Sequence, residues 1–162
     1  MFILQKLFLF INKILLKMFE IRLAELSDIP TIFLIGQKSL PIHYNQINLY
    51  NFIHSTNHLV YLIEQSDQKI IVGMLIISTE NNKIHILSIA VLPENRQSGI
   101  ATQMIKYIKE HFPQKLISLY VQASNIIALN FYFKHQFKIK KYLETYYSHL
   151  ICNSAFYMEY NY

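Results

Sequence analysis

The stretch PENRQSGIATQM, residues 93–104, places one of the chain's three glycines shortly after an arginine. The preceding residues 83–92, KIHILSIAVL, are typical of a buried strand, and the residues after Gly99 keep a helical apolar spacing that ends at Pro113. Residues 96–101 therefore predict a strand-to-helix turn whose first helical N–H groups can bind an anion, phosphate in particular. The stretch is neither a Walker loop nor a GxGxxG motif, and an ordinary glycine-containing turn is the alternative.

The composition indicates one folded domain. The chain has 162 residues, of which 52% are hydrophobic and 15% are charged, and this is too apolar for a disordered chain. The net charge is +5, but the 15 Lys and Arg are scattered, which disfavours a nucleic-acid surface. Cys152 is the single cysteine and the seven histidines have no metal-ligand spacing. We expect a reducing, cytoplasmic compartment, no metal and no nucleic-acid partner.

Residues 1–17 are predicted to form a segment of their own, ahead of a domain over residues 18–162. Their polar side chains fall on one face of a helical wheel, and no apolar run reaches the roughly 20 residues that a membrane span needs. An amphipathic helix lying on a membrane surface is one interpretation. The others are a helix that packs on its own domain or on a partner, and translation that begins at Met18.

The rest of the chain predicts the order strand, two helices, three strands, helix, strand, helix and two strands. A helix that links two strands of one sheet requires a parallel crossover. We therefore expect an α/β (α+β) fold, with a mixed, mostly antiparallel sheet of about six or seven strands flanked by about four helices. The predicted strands are 19–25, 59–64, 69–78, 83–92, 116–122, 137–146 and 154–160.

Two spaced motifs resemble those of the GNAT superfamily of acetyl-CoA-dependent N-acetyltransferases. The motif R/Q-x-x-G-x-G/A after the central strand is matched by Arg96, Gly99 and Ala101. The motif Asn-x-x-Ala-x-x-x-Tyr with a following aromatic is matched by Asn125, Ala128, Tyr132 and Phe137. The resemblance extends from about residue 19 to residue 161 and implies a GNAT fold with splayed central strands.

The resemblance also implies how acetyl-CoA is bound as co-substrate. Its pyrophosphate would lie on the turn before the helix, and its thioester carbonyl would accept hydrogen bonds from the backbone of the central strand. The implied cofactor-binding residues are Ile89, Ala90, Val91, Arg96, Gln97, Ser98, Gly99, Ile100, Ala101, Thr102, Asn125 and Tyr132.

Two further stretches resemble the protein N-terminal acetyltransferases of the RimI, NatE and NatF types. LPIHY, residues 40–44, resembles their apolar-Pro-apolar-x-Tyr loop, and a tyrosine pair resembles the one in their last hairpin. The resemblance implies acetyl transfer to the α-amino group of a peptide N-terminus by direct attack in a ternary complex. The implied substrate-binding residues are Leu40, Pro41, Ile42, Tyr44, Tyr146 and Tyr147.

Three side chains are expected to carry the proton chemistry. A free α-amine has a pKa near 7.7–8.0, against roughly 10.4 for lysine, so that a mild base suffices. His85 lies where the NatE and NatF types have tyrosine, and Tyr120 where they have histidine, which makes His85 the candidate base in an exchanged pair. Tyr132 would donate to the departing thiolate. A hydrogen-bonded core histidine and packing tyrosines are the structural alternatives.

Other functions and one departure from the family stay open. A small amine or a lysine side chain is an alternative substrate, although only 10 acidic residues mildly disfavour a polyamine pocket. A non-catalytic acyl-CoA-binding or membrane-docked module is a further alternative, and either a monomer or a complex with a partner subunit is compatible with the sequence. Gln136 replaces the glycine that commonly ends the family's helix, so we expect a strained residue or a different turn there.

Overall fold

The computed structural model describes residues 18–148 and 150–162, and the amphipathic helix predicted over residues 1–17 lies outside them. The predicted order of elements is confirmed, with small differences at the ends: the first strand ends at Leu23 rather than at residue 25. None of the helices in the described ranges has the length and apolarity to cross a membrane. The elements are β1 Phe19–Leu23, α1 Ile29–Ser39, α2 Gln46–His54, β2 His58–Gln65, β3 Ile71–Ser78, β4 Ile84–Val91, α3 Ile100–His111, β5 Ile117–Gln122, α4 Ile126–Lys134, β6 Lys138–Leu143 and β7 Ala155–Tyr160.

The strands form one seven-stranded sheet in the order β1-β2-β3-β4-β5-β7-β6. β1 is antiparallel to β2, and β7 is antiparallel to both β5 and β6. β4 and β5 are parallel, as expected for strands that a helix connects. The predicted mixed sheet with flanking helices is therefore confirmed for the described part of the chain.

The ladder between β4 and β5 is short. It joins Ile84–Ile86 to Ile117–Leu119, although β4 continues to Val91 and β5 to Gln122. The pairing between β4 and β5 thus ends at Ile86 and Leu119.

The chain divides into two compact units. The first contains the described residues as far as Ile76 together with Ser88–Met104, and the second contains Ile77–Leu87 together with Ile105–Tyr162. Each unit buries apolar side chains of its own, because its strands are rich in isoleucine and leucine. Fully buried side chains include Ile32, Leu62, Ile63 and Leu75 in the first unit, and Ile84, Ile108, Ala155 and Met158 in the second.

An ion-pair network in the first unit holds the start of α1 beside β1 and β2. Arg22 donates from Nε to Glu64 Oε1 at 2.5 Å and from its two terminal nitrogens to both carboxylate oxygens of Asp28 at 2.7 and 2.9 Å. Asp28 also accepts from the backbone N–H of Glu25 at 2.8 Å. These hydrogen bonds, that from Arg22 above all, lower the pKa of Asp28, so that its carboxylate stays charged in a largely buried position.

In the second unit, α4 ends in a Schellman turn built on a glutamine. The N–H of Phe137 donates to Tyr132 O at 3.0 Å, and the N–H of Gln136 donates to Phe133 O at 2.9 Å. Gln136 has φ 67°, the left-handed conformation that glycine usually supplies at this position. The prediction of a strained residue here is therefore confirmed.

Candidate active site

The turn between β4 and α3 has an unusual backbone. Gln97 has φ 61° and Gly99 has φ 83°, so two of three successive residues are left-handed. Gly99 O then accepts the first helical hydrogen bond of α3, from the N–H of Gln103 at 3.0 Å. The beginning of α3 thus presents N–H groups without acceptors inside the helix, at the positive end of its dipole. Such a helix start is suited to an anion, and binding of phosphate by residues 96–102 stays a prediction.

Gly73, which the sequence analysis did not single out, allows α3 to pack closely on the sheet. A Cβ atom at this position would lie 2.8 Å from Met104 Cε, 2.9 Å from the carbonyl oxygen of Ala90 and 3.4 Å from Ile100 Cγ2. Its close approach brings the first turns of α3 against the backbone of β4. The available signal was a glycine inside an apolar strand, which indicates a close backbone approach.

Arg96 links the turn to the end of α1. Its Nε donates to Val91 O at 3.4 Å and its Nη2 donates to Ser39 O at 3.3 Å, both long hydrogen bonds. A guanidinium has five N–H donors, so Arg96 keeps donors for a phosphate beside these two contacts. Ser39 directly precedes the predicted substrate loop at residues 40–44, so Arg96 contacts the segment that leads into that loop.

The loop at residues 40–44 combines exposed and anchored side chains. Pro41 and Ile42 are exposed and Leu40 is half-buried. Tyr44 packs edge-on against Phe52 with ring centroids 4.9 Å apart, and burial raises the pKa of its phenol. The loop thus exposes the apolar side chains of Pro41 and Ile42, and the packing of Tyr44 on Phe52 holds its C-terminal end in place.

The backbone of β4 carries the predicted thioester-binding residues. Ala90 is buried, whereas Ile89 and Val91 are half-buried. Four buried polar atoms of the first unit lack hydrogen-bond partners within the described chain: Ser39 Oγ, Ser66 Oγ, Ser88 Oγ and Gln103 Nε2. Ser88 belongs to β4 and Gln103 to the first turn of α3. An unpaired buried polar group costs roughly 1–3 kcal/mol, so a polar ligand that supplied partners here would relieve that cost. The residues present therefore fit a ligand such as acetyl-CoA.

In the second unit, four of the predicted site residues form one aromatic cluster. The His85 and Tyr120 rings meet edge-on at 5.2 Å, and Tyr120 stacks on Tyr146 at 4.3 Å. Tyr146 in turn meets Tyr147 edge-on at 4.8 Å, and the Tyr147 hydroxyl donates to Tyr120 O at 3.4 Å. The structure therefore brings the candidate base and its exchanged partner together with the tyrosine pair.

His85 is held by a buried serine. Its Nδ1 lies 2.9 Å from Ser118 Oγ, and Ser118 faces it across the β4–β5 ladder. Burial lowers the pKa of His85, so the imidazole is neutral near pH 7 and able to accept a proton.

Tyr132 is enclosed by aromatic rings. It is 6% exposed and meets Phe131 and Phe137 edge-on at 5.3 and 5.5 Å. Burial, with a smaller contribution from Tyr147, raises the pKa of Tyr132. The phenol therefore stays protonated at neutral pH and can act only as a hydrogen-bond donor or a weak acid.

The second family motif has a local structural reason. Asn125 caps α4, because its Oδ1 accepts from the N–H of Ala128 at 3.1 Å. Tyr132 follows two turns later on the buried face, and Phe137 closes the Schellman turn. The motif spacing thus specifies a capped helix that carries a buried phenol.

Within residues 18–148 and 150–162, no three or more His, Cys, Asp or Glu side chains are grouped as a metal site.

Comparison with known proteins places the chain in a family. The acetyltransferase (GNAT) family matches residues 22–137. The N-alpha-acetyltransferase of Saccharolobus solfataricus is 31% identical over 148 residues, which cover 80% of this chain and 86% of that protein.

Two solved structures share the fold. The ribosomal-protein-S18-alanine N-acetyltransferase from Escherichia coli has a TM-score of 0.79 at 19% identity, covering 89% of this chain and 94% of its own. Arabidopsis thaliana Naa50 in complex with the bisubstrate analogue CoA-Ac-MVNAL has a TM-score of 0.77 at 19% identity. The match covers 90% of this chain and 99% of the Naa50 chain. The family match spans well over half of the residues, and the chain belongs to the GNAT family of acetyltransferases.

Proposed function

We propose that this enzyme transfers acetyl from acetyl-CoA to the α-amino group of a protein N-terminus. The amine nitrogen attacks the thioester carbonyl in a ternary complex, the C–N bond forms, the C–S bond breaks, and the amine gives up one proton. The observation that carries this proposal is the cluster of His85 and Tyr120 with the Tyr146–Tyr147 pair. The N-alpha-acetyltransferase activity of the Saccharolobus solfataricus relative supports it.

Acetyl-CoA would supply the activated acyl group, held by the turn at residues 96–102 and by the backbone of residues 89–91. Left-handed Gly99 and the start of α3 support a pyrophosphate site, since backbone N–H groups can approach phosphate closely there. The unpaired buried Ser88 and Gln103 side chains favour a polar ligand in the same unit.

His85 would act as the general base, directly or through one water molecule. Because burial lowers its pKa, most of the imidazole is unprotonated at pH 7, and it needs to remove a proton only from an α-amine whose pKa is about 7.7–8.0. Tyr120, edge-on to the ring, would hold the imidazole plane. Activity should rise with pH as the imidazole and the substrate amine lose their protons.

Tyr132 would stabilise the departing thiolate as a hydrogen-bond donor. An ordinary thiol has a pKa of about 8.5, well below that of a phenol, so complete transfer of the phenol proton is uphill. The raised pKa of Tyr132 makes complete proton transfer from its phenol to the thiolate still less favourable. A donated hydrogen bond needs no transfer and strengthens as charge develops on sulfur.

The test is an acetyl-transfer screen over peptides that differ in their first two residues, with free lysine, spermidine and N-terminally blocked peptides as controls. We expect acetylation of unblocked peptides, with a preference set by their first residues, and little transfer to the controls. Peptide binding is proposed to involve residues 40–44 and the Tyr146–Tyr147 pair. Faster turnover of spermidine or lysine than of any peptide would show that the substrate class is wrong.

A further inference from the structure

Behind His85, a row of polar side chains follows one face of the sheet in the second unit. The register sets His85 opposite Ser118, and Ser118 opposite Glu159. Tyr157 lies two residues from Glu159 on β7, and alternate residues of a strand share a face. His85, Ser118, Tyr157 and Glu159 therefore lie on the same face of β4, β5 and β7.

The contacts along this row connect its members in sequence. His85 Nδ1 lies 2.9 Å from Ser118 Oγ. Tyr157 is the diagonal neighbour of Ser118 across the β5–β7 ladder, because Glu159 is the register partner of Ser118. Burial raises the pKa of Tyr157, and hydrogen bonding from the Ser118 hydroxyl opposes that effect. Tyr157 Oη donates to Glu159 Oε1 at 3.0 Å. Each hydroxyl can accept from one neighbour and donate to the next, so the row forms a directed chain of donors from His85 to Glu159.

Burial changes along the row in a way that suits proton exit. Ser118 is 4% exposed, whereas the Glu159 side chain is 18% exposed and lies 3.9 Å from the ammonium of Lys140. The alternative acceptor for the Ser118 hydroxyl, Ile84 O, is 3.5 Å away, at the limit of a hydrogen bond. A buried serine needs a partner, and the chain to Glu159 gives it one on each side.

We propose that Ser118, Tyr157 and Glu159 form a proton relay that carries the proton taken up by His85 towards solvent. This rests on the proposed function only in that His85 receives the proton of the attacking amine. The amine proton goes to His85 Nε2, and the Nδ1 proton passes to Ser118 Oγ. The Ser118 hydroxyl proton passes to Tyr157 Oη, and the Tyr157 proton passes to Glu159 Oε1. Glu159 releases one proton to water. Exchange of the imidazole protons with water, with loss at Nε2 and gain at Nδ1, returns His85 to its starting tautomer, and rotation of the two hydroxyls completes the reset.

Other titratable and charged groups face the row and set its electrostatics. Tyr120 lies against both the His85 ring and the Tyr157 ring, the latter at 5.1 Å, and Tyr146 stacks on Tyr120. On β6, Lys140 approaches Glu159 and Lys138 pairs with it in register. These lysines place positive charge beside the Glu159 carboxylate at the end of the row.

The kinetic test compares two Tyr→Phe variants on β7. Tyr157→Phe removes the relay hydroxyl and keeps the ring, and Tyr160→Phe makes the same change outside the row. We expect kcat to fall about tenfold in Tyr157→Phe, with KM for acetyl-CoA unchanged. Its proton inventory in H₂O–D₂O mixtures should become linear, whereas wild type and Tyr160→Phe should show a curved inventory. Equal kcat and equal inventories in the two variants would overturn the relay while leaving N-terminal acetylation intact.

A second test needs no turnover. The imidazole ¹⁵N shifts of His85 should show a protonated Nδ1 and an unprotonated Nε2 in the wild-type enzyme, and Ser118→Ala should shift the ring towards the other tautomer. An Nδ1 without a proton in the wild type would overturn the relay whichever amine is acetylated. If no amine is acetylated, the proposed function fails and this spectrum still decides the direction of the chain.

Discussion

The two units differ in how they are suited to their proposed tasks. All three glycines lie in the first unit, and each permits a close approach or a left-handed turn near a predicted ligand loop: Gly36 beside His43, Gly73 beneath α3, and Gly99 in the turn itself. The second unit has no glycine but holds nine of the 12 tyrosines. The first unit therefore presents backbone to a ligand, whereas the second presents aromatic and polar side chains.

This difference predicts which kinetic constant each substitution changes. In the first unit, substitutions that change the backbone conformation should weaken acetyl-CoA binding. In the second unit, substitutions that remove a side-chain functional group should lower kcat. The predictions below test that division in order of expected effect.

The largest effect is expected for His85→Ala. Removing the base should lower kcat by about 100-fold with little change in KM for acetyl-CoA, because general-base catalysis contributes roughly 10²–10⁴-fold. In the wild type, activity should fall as pH drops through the lowered pKa of His85, and this limb should be absent from the variant. The pH dependence of kcat from pH 5 to 9 measures both. A variant whose pH profile matches that of the wild type would exclude His85 as the base.

The second prediction concerns the ion-pair network of Arg22, Asp28 and Glu64. In this part of the first unit, side chains rather than backbone groups make the important contacts. Asp28→Asn should lower the free energy of unfolding by about 2 kcal/mol, less than for a fully buried pair because Arg22 is 36% exposed and keeps Glu64. The folded-state pKa of Asp28 lies below its unfolded value near 3.9. Its contribution is therefore fully present above about pH 4 and is lost as pH falls through the folded-state pKa.

Urea unfolding of both proteins between pH 7 and pH 3 checks this prediction. The difference between wild type and Asp28→Asn should be constant near neutrality and should shrink below pH 4. Glu20→Gln, which affects the exposed ion pair to Lys69, is the matched control and should change stability little. A difference that grows as the pH falls would show that Arg22 does not stabilise the Asp28 carboxylate.

The turn at residues 96–101 and the surroundings of His85 show why the sequence predicted one part of the site better than the other. A glycine at a strand-to-helix junction has local consequences, so the turn at Arg96–Ala101 could be predicted from spacing and backbone sterics. The partners of His85 are set by long-range pairing: Ser118 faces it through the β4–β5 register, and Tyr157 is brought near because β7 inserts between β5 and β6. No local pattern encodes that register, so Ser118, Tyr157 and Glu159 were missed.

The third prediction tests the backbone of the turn. Gly99→Ala should raise KM for acetyl-CoA about tenfold, because an alanine at φ 83° is strained and adds a side chain to the turn proposed to bind phosphate. The kcat at saturating acetyl-CoA should change little, and calorimetric titration with coenzyme A should show the same tenfold loss. A large fall in kcat with unchanged cofactor affinity would contradict the assignment of cofactor binding to the first unit and of turnover to the second.

The smallest effect is expected for a pair of glutamines, one in each unit, that have almost the same left-handed backbone. Gln97 has φ 61° in the first unit and Gln136 has φ 67° in the second. Glycine at either position should relieve strain worth about 1 kcal/mol and raise the midpoint of thermal unfolding by about 3 °C. Only Gln97→Gly should also change the affinity for coenzyme A, because only Gln97 lies in the proposed phosphate turn. Equal affinity in both variants would mean that this turn binds phosphate through backbone alone, whereas a loss of affinity in Gln136→Gly would show that the end of α4 also shapes the cofactor site.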